Sequence, residues 1–169
     1  MRKIFLLIIM AAVGILLYLS NNRIPRLDFN KPNTQESFKP NPSNATFAFE
    51  DGLITLSGGK SEEVTLLDKL AYGDINTDYK TDAAMFLSQS SGGTGIFIYL
   101  ATFVSGPLNY KGSNAVFLGD RISLQNISIK NGVITVEYLD RKPDEGFAAE
   151  PTIPVSKQFV FRNGILEEK

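Results

Sequence analysis

The sequence predicts a mainly β domain, an antiparallel sandwich, roll or open barrel, preceded by one N-terminal transmembrane helix. Three observations support this fold class. From Ala45 onward, short apolar runs alternate with polar residues at the period of two that is typical of strands. Asp-Gly and Asn-Gly dipeptides, which accept the positive φ of tight hairpin turns, separate several of these runs. Before this region, sixteen apolar residues without a charge run from Ile4 to Leu19.

The first twenty residues predict a membrane anchor. The apolar run is roughly 24 Å long as a helix, against a hydrocarbon core of about 30 Å. The basic segment Met1–Lys3 precedes it, which favours a cytoplasmic N-terminus and a domain outside the cytoplasm. We therefore expect residues 1–20 to be a signal anchor, giving a single-pass protein of the plasma (inner) membrane. Secretion after signal cleavage is the alternative, although Leu17 and Leu19 stand where a cleavage site needs small residues.

Residues 21–44 are expected to form a flexible linker rich in proline and asparagine. Their apolar residues are single and show no period, so the segment cannot bury enough surface to offset the entropy of ordering it. The extracytoplasmic β domain is accordingly predicted at residues 45–169. Half of the eight prolines of the chain lie in this linker: Pro25, Pro32, Pro40 and Pro42.

The composition excludes several kinds of chemistry. The chain has neither cysteine nor histidine, which rules out disulfides, thiolate ligands and the commonest general base near neutral pH. Seventeen basic and eighteen acidic residues give a net charge of −1, so no nucleic-acid partner is expected. An exported domain without disulfides must be stabilised by its apolar core or by a metal ion.

The strands are predicted in order along the domain. Thr46–Phe49 and Leu53–Leu56 form a hairpin through Asp51-Gly52. Leu66–Tyr72 is the best candidate for one helical turn, and eight to ten strands are expected in all. The other candidate strands are Glu63–Leu67, Ala83–Gln89, Ile96–Val104, Ala115–Leu118, Ile122–Ile129, Val133–Leu139, Val155–Arg162 and Ile165–Glu168. Their alternating aromatic residues are expected to fill the core: Phe97, Tyr99, Phe103, Phe117, Phe159 and Phe161.

One segment, Gly73–Asp82, has the spacing of a calcium loop. Counted from Asp74, oxygen-bearing side chains, the donors that Ca²⁺ requires, stand at the first, third, fifth and ninth positions: Asp74, Asn76, Asp78 and Asp82. Lys80, at the seventh position, could add a backbone carbonyl ligand. Met85 occupies the twelfth position, where an EF-hand needs a glutamate, so the loop is not an EF-hand. The pattern instead resembles the calcium loops of FG-GAP-type and dockerin-type repeats.

Tyr79 is the departure from this pattern. The sixth position of such loops usually carries glycine, because its backbone is left-handed and another residue type costs about 1–2 kcal/mol there. The departure predicts a weakened site. The alternative is a turn rich in Asp and Asn, in which the side chains accept hydrogen bonds from their own backbone. Calcium binding and a purely structural turn both stay open at this point.

A series of motifs extends over residues 44–166. Its segments are Gly73–Ala84, Ser91–Tyr99, Gly112–Arg121, Asn131–Val136, Tyr138–Glu145 and Val155–Lys157. The series resembles a widespread family of uncharacterised exported bacterial proteins and lipoproteins, most members of which carry glycine at the position of Tyr79. The resemblance implies export and a β domain, is compatible with calcium, and implies no activity.

Two function classes follow. We expect a membrane-tethered extracytoplasmic binding or structural domain, stabilised by calcium and facing an unknown envelope or extracellular partner, rather than an enzyme. The alternative is a hydrolase of envelope polysaccharide or peptide that uses paired carboxyl groups. Asp120-Arg121 and Asp140–Glu145 supply such groups, although a surface cluster of ion pairs is the simpler interpretation. The glycine-rich loop 92–95 could bind an anion, but it reads best as a wide hairpin turn.

Overall fold

A computed structural model describes residues 38–90, 92–146 and 148–169, and these residues form eleven strands and no helix. The predicted anchor and most of the predicted linker lie outside the described residues. Within the described ranges, no helix has the length and apolarity to cross a membrane. The strands are β1 (Thr46–Phe49), β2 (Gly52–Thr55), β3 (Val64–Gly73), β4 (Asp82–Gln89), β5 (Phe97–Ser105), β6 (Tyr110–Gly112), β7 (Val116–Asp120), β8 (Ser123–Lys130), β9 (Val133–Asp140), β10 (Ile153–Arg162) and β11 (Ile165–Glu168).

The strands form three sheets, and every ladder between them is antiparallel. β1 and β2 are a separate hairpin. The central sheet has the order β3-β4-β5-β6, with β7 also paired to β5, and the third sheet has the order β11-β10-β9-β8. The prediction of a mainly β, antiparallel domain is therefore confirmed.

β4 is buried on both faces and lies between two apolar cores. Ala84 and Phe86 face the third sheet, where they share a core with Ile134 and Val136 of β9. The alternate residues of β4, among them Met85, face the β1–β2 hairpin and form a second core with it. A strand that is covered on both faces reads as a continuous apolar run, as Ala83–Leu87 does.

The expected helical turn at Leu66–Tyr72 is wrong, because this segment is part of β3. The register of β3 against β4 shifts between Leu66 and Leu70, which pair with Leu87 and Met85 respectively. This irregularity places more residues on β3 than on β4. Leu67 consequently packs against one core while Leu66 and Leu70 pack against the other. Leu66, Leu67 and Leu70 therefore stand at positions i, i+1 and i+4, a spacing that is also typical of a helix.

Three further features were not foreseen. β6 is a three-residue strand without an apolar alternation, so its sequence carries no strand signal. Phe117, expected in the core, is 51% exposed on β7 at the margin of the central sheet. The end of the predicted linker contacts the domain: the Asn44 side chain accepts a hydrogen bond from the Gly58 N–H at 2.8 Å, and Pro42 O accepts one from Ala45 N.

Candidate metal site

The candidate site is built on the acidic loop, residues 74–81, which joins β3 to β4. Ile75 anchors the loop, because its side chain is buried in the core between the two larger sheets. Two glycines permit this close packing. A Cβ at Gly73 would lie 2.9 Å from the Ile129 side chain of β8, and one at Gly132 would lie 3.3 Å from the Ile75 carbonyl oxygen. The central sheet and the β8–β9 hairpin therefore both position the loop.

Three carboxyl groups converge at this loop. Asp74, Asp78 and Asp82 each offer one oxygen, and these three oxygens lie within 4.8 Å of one another. Oxygen ligands bind Ca²⁺ at 2.3–2.6 Å, so two ligands on opposite sides of one ion are separated by about 5 Å. The three carboxylates are thus close enough together to hold a metal ion.

Asp82 is the most firmly placed of the three. It begins β4 and is fully buried, with 0% of its surface exposed. Its Oδ2 accepts a hydrogen bond from Ile75 N, and its Oδ1 accepts one from Ser105 N at the end of β5, both at 2.8 Å. A carboxylate can accept about four hydrogen bonds, so each oxygen retains capacity for a cation. Asp82 therefore ties the acidic loop to two strands of the central sheet.

Asp74 and Asn76 close the loop on its own backbone. The Asp74 carboxylate accepts hydrogen bonds from Asp78 N at 3.2 Å and from Tyr79 N at 2.9 Å. Asn76 Oδ1 accepts a bond from Asp78 N at 3.1 Å, while its Nδ2 donates to the Ser105 carbonyl at 3.0 Å. The local bonding of a turn rich in Asp and Asn is therefore present together with the cluster of carboxylates.

Asp78 is held as an anion. The Ser105 hydroxyl donates to its Oδ2 at 2.6 Å, and Lys80 N donates to its Oδ1 at 2.9 Å. The Lys80 ammonium also lies 3.6 Å from Oδ2. These groups, above all the Ser105 hydroxyl, lower the pKa of Asp78 below its ordinary value. Asp78 is consequently a carboxylate, the form that binds metal, at neutral pH.

Ser105 is the residue that sequence reasoning missed. It contacts all three of Asn76, Asp78 and Asp82 through its carbonyl, hydroxyl and backbone N–H. In the sequence it is only the last residue of an apolar strand, far from the loop. No local pattern could have associated it with the site, because the antiparallel pairing of β4 with β5 brings it there.

The two remaining loop residues have different positions. Lys80 has its side chain across the neighbouring loop, where Nζ donates to the Gly106 carbonyl at 3.3 Å. The Lys80 carbonyl as a metal ligand stays a prediction. Tyr79 has φ 65°, the left-handed conformation in which calcium loops usually place glycine, and its side chain is 97% exposed. The tyrosine thus adopts the expected backbone geometry despite its Cβ.

The opposite end of the domain contains the other candidate residues, and here arginines bind backbone carbonyls. Asp120 Oδ1 accepts a bond from Ile96 N at 2.9 Å, and Arg121 donates to the Thr94 carbonyl. Arg141 donates from Nε to Ala149 O at 2.6 Å and from Nη1 to the carbonyls of Asp120 and Arg121 at 3.2 and 3.1 Å. We call these contacts the arginine end. They connect the β4–β5, β7–β8 and β9–β10 loops.

The carboxyl groups of the arginine end make structural contacts. Asp140 accepts a bond from Arg141 N at 2.7 Å, and Glu145 accepts one from Lys142 N and pairs with the Lys142 ammonium at 3.2 Å. The backbone N–H of Lys142 is the main cause that lowers the pKa of Glu145. A general acid of a glycosidase needs a raised pKa. These contacts give the hydrolase alternative no support.

Comparison with known proteins identifies no relative. The chain matches no family model, and neither a curated protein nor a solved structure shows significant similarity to it. The resemblance to exported bacterial proteins and to calcium loops therefore stays a prediction from the motifs.

Proposed function

We propose that this chain is a membrane-tethered extracytoplasmic binding or structural domain, in which Ca²⁺ stabilises the acidic loop. One observation carries the calcium part of the proposal: the carboxylates of Asp74, Asp78 and Asp82 converge to within 4.8 Å. Carboxylates this close repel one another, and a divalent cation between them removes that repulsion. Hard oxygen donors without any nitrogen or sulfur ligand favour Ca²⁺ over a softer metal ion such as Zn²⁺ or Cu²⁺.

The role proposed for the ion is structural. The loop already links β3 and β4 to Ser105 of β5, and Ile75 anchors it in the core. An ion bound by the three carboxylates would cross-link the same elements more strongly. Such an ion would stabilise an exported domain that has no cysteine and therefore no disulfide. The proposal of a tether comes from the apolar run at residues 4–19.

Thermal unfolding of the full-length protein in detergent tests the calcium proposal. Extracellular modules bind Ca²⁺ with Kd values of about 10⁻⁴–10⁻³ M. At ten times the Kd, mass action stabilises the folded state by about 1.4 kcal/mol, which corresponds to a rise of about 3–8 °C in the thermal midpoint. We expect this rise with CaCl₂ and a smaller one with MgCl₂, because Mg²⁺ demands a tighter octahedral geometry.

Two variants serve as the matched pair for this experiment. Asp74→Ala removes one of the converging carboxylates and should abolish the rise, whereas Asp144→Ala removes an exposed carboxylate at the arginine end and should preserve it. A midpoint that is unchanged in 10 mM CaCl₂, roughly ten times the upper Kd above, would reduce the loop to a structural turn.

The location is tested separately with a reporter fused after Lys169. A reporter that is active only outside the cytoplasm should be active, and the protein should sediment with membranes, as the positive-inside rule predicts from Arg2 and Lys3. Recovery of the full-length fusion as a soluble cytoplasmic protein would contradict the tether while leaving the calcium proposal intact. The envelope hydrolase stays an alternative prediction.

A further inference from the structure

The two most exposed large apolar side chains in the described part of the chain lie on adjacent loops at the acidic-loop end. Tyr79 on the acidic loop and Leu108 on the β5–β6 loop are each 97% exposed. The loops are joined by the Lys80–Gly106 and Asp78–Ser105 hydrogen bonds. Neither side chain therefore contributes to the cores of the domain.

The backbone conformation of Tyr79 favours glycine, yet the chain has a large exposed side chain at this position. A non-glycine residue at φ 65° is strained, and glycine would relieve the strain without loss of any packing, because the ring contacts little. Leu108 lies within the turn that the Gly106 N–H closes on the Asn109 carbonyl at 2.9 Å. Two separate loops therefore each present one large side chain to the outside.

The point at which the chain enters the domain lies at the same end. Phe38, the first described residue, is 68% exposed, and its ring centroid lies 5.9 Å from that of Tyr110. The Tyr110 hydroxyl in turn donates to the Thr81 carbonyl of the acidic loop at 2.9 Å. A chain that comes from a membrane anchor reaches the domain here, after the 37 residues that precede Phe38. If residues 1–20 are the proposed anchor, the tether joins the domain at this end.

The charges at this end also suit a lipid surface. Lys80 and Lys111 are exposed beside the two loops, and Lys39 lies over the Tyr72 ring at 5.4 Å. Of the three carboxylates, Asp82 is fully buried, and all three accept hydrogen bonds from backbone N–H groups. Basic residues attract anionic lipid headgroups, and aromatic side chains are enriched at the interface between hydrocarbon and water.

We infer that the Tyr79 and Leu108 tips insert into the interfacial layer of an anionic lipid bilayer, with the lysines against the headgroups. The inference rests on the proposed membrane tether, and it assigns the acidic-loop end as the face that docks on the membrane. A bilayer is favoured over a protein partner because both exposed side chains lie at the end where the chain enters the domain, together with basic residues.

The test uses the full chain in nanodiscs of phosphatidylcholine, with or without phosphatidylglycerol, that contain nitroxide-labelled lipid. Because the protein has no cysteine, Asn109→Cys and Asp144→Cys each accept a single fluorophore, at the tip end and at the arginine end respectively. We expect lipid quenching at position 109 to be severalfold greater than at position 144, and greatest with phosphatidylglycerol. Adding Tyr79→Ser and Leu108→Ser should reduce quenching at 109 to the level at 144.

Equal quenching at the two positions in every lipid would overturn the inference. Burial of the label at position 109 in a dimer of the chain, without any quenching by lipid, would also overturn it. If the chain does not enter nanodiscs, the proposed membrane tether is wrong. The same labelled proteins are then mixed with vesicles of the same lipids. Quenching at 109 there would still support the inference, and its absence would refute it. The thermal midpoint of the double serine variant, which should be unchanged, verifies that the domain is folded.

Discussion

The two ends of the domain both contain charged side chains close to one another, but they satisfy those charges in opposite ways. At the acidic-loop end, carboxylates converge and accept hydrogen bonds from backbone N–H groups. At the arginine end, the guanidinium group of Arg141 donates to backbone carbonyls of three different residues. A cation would reduce the repulsion between the converging carboxylates. The Arg141 guanidinium, by contrast, already has carbonyl acceptors for its N–H groups. Of the two arrangements, only the first therefore has the side chains that could hold a metal ion.

The largest expected effect is the loss of Asp82, compared with that of Asp120 at the other end. Asp82→Ala leaves the N–H groups of Ile75 and Ser105 buried without an acceptor, at about 1–3 kcal/mol each. We expect its free energy of unfolding to fall by roughly 2–5 kcal/mol in urea with a chelator present. Asp120→Ala leaves a single N–H group without its acceptor, that of Ile96, which is exposed to solvent. We expect this variant to lower the free energy of unfolding by about 1 kcal/mol. Equal losses would mean that burial does not distinguish the two ends.

The strands were predictable because their signals are local. The period of two and the Asp-Gly and Asn-Gly turns predicted the hairpins β1–β2, β8–β9 and β10–β11. The same reasoning failed at Leu66–Tyr72, because a register shift changes the apolar spacing without leaving a mark in composition. It also missed β6, whose three residues are too few to show any period.

The candidate site divides in the same way. Asp74, Asn76, Asp78 and Asp82 were found because the ligand spacing of one loop is a local pattern. Ser105 was missed because it reaches the loop only through the pairing of β4 with β5. Arg141 was read as part of a surface cluster, since its carbonyl acceptors on Asp120, Arg121 and Ala149 are brought together by tertiary structure alone.

The next expected effect concerns the independence of the two ends. Arg141→Ala removes charge-assisted hydrogen bonds to three carbonyls and should lower the free energy of unfolding by about 1.5–3 kcal/mol. Arg141→Lys should recover little, because an ammonium lacks the planar fork that reaches carbonyls on two loops. Both variants should keep the calcium-induced rise in thermal midpoint in full. Loss of that rise would show that the ends are coupled.

A smaller effect is expected from backbone strain, which occurs at both ends. Tyr79 and Arg121 have φ 65° and 49°, so glycine relieves strain at either position. Tyr79→Gly should stabilise the domain by about 0.5–1 kcal/mol and strengthen calcium binding. Arg121→Gly should destabilise it, because the lost guanidinium contacts Thr94 and Asp120.

The control for this pair is Tyr79→Ala, which removes the ring but keeps the Cβ. It should leave stability nearly unchanged, because the ring is exposed and only the backbone is strained. Urea unfolding measures all three variants, and calorimetric titration measures the calcium affinity of the Tyr79 pair. A gain for Arg121→Gly equal to that for Tyr79→Gly would remove the distinction between an exposed tip and a bonded guanidinium.

The smallest expected effect is a pH dependence at the acidic-loop end, where Asp78 is the group concerned. The folded-state pKa of Asp78 is lowered below its ordinary value of 3.8, chiefly by the Ser105 hydroxyl. A depressed pKa contributes stability that is present above the unfolded pKa and is lost as the pH falls through the folded one. Asp78 should therefore contribute to the loss of stability below about pH 4 in a chelator.

Ser105→Ala should raise the pKa of Asp78, measured by carboxyl NMR, and weaken this acid dependence. Ser88→Ala, which removes a hydroxyl bonded to the Thr65 carbonyl instead, should leave the titration of Asp78 unchanged. An unchanged titration in Ser105→Ala would instead assign the shift to the backbone N–H of Lys80.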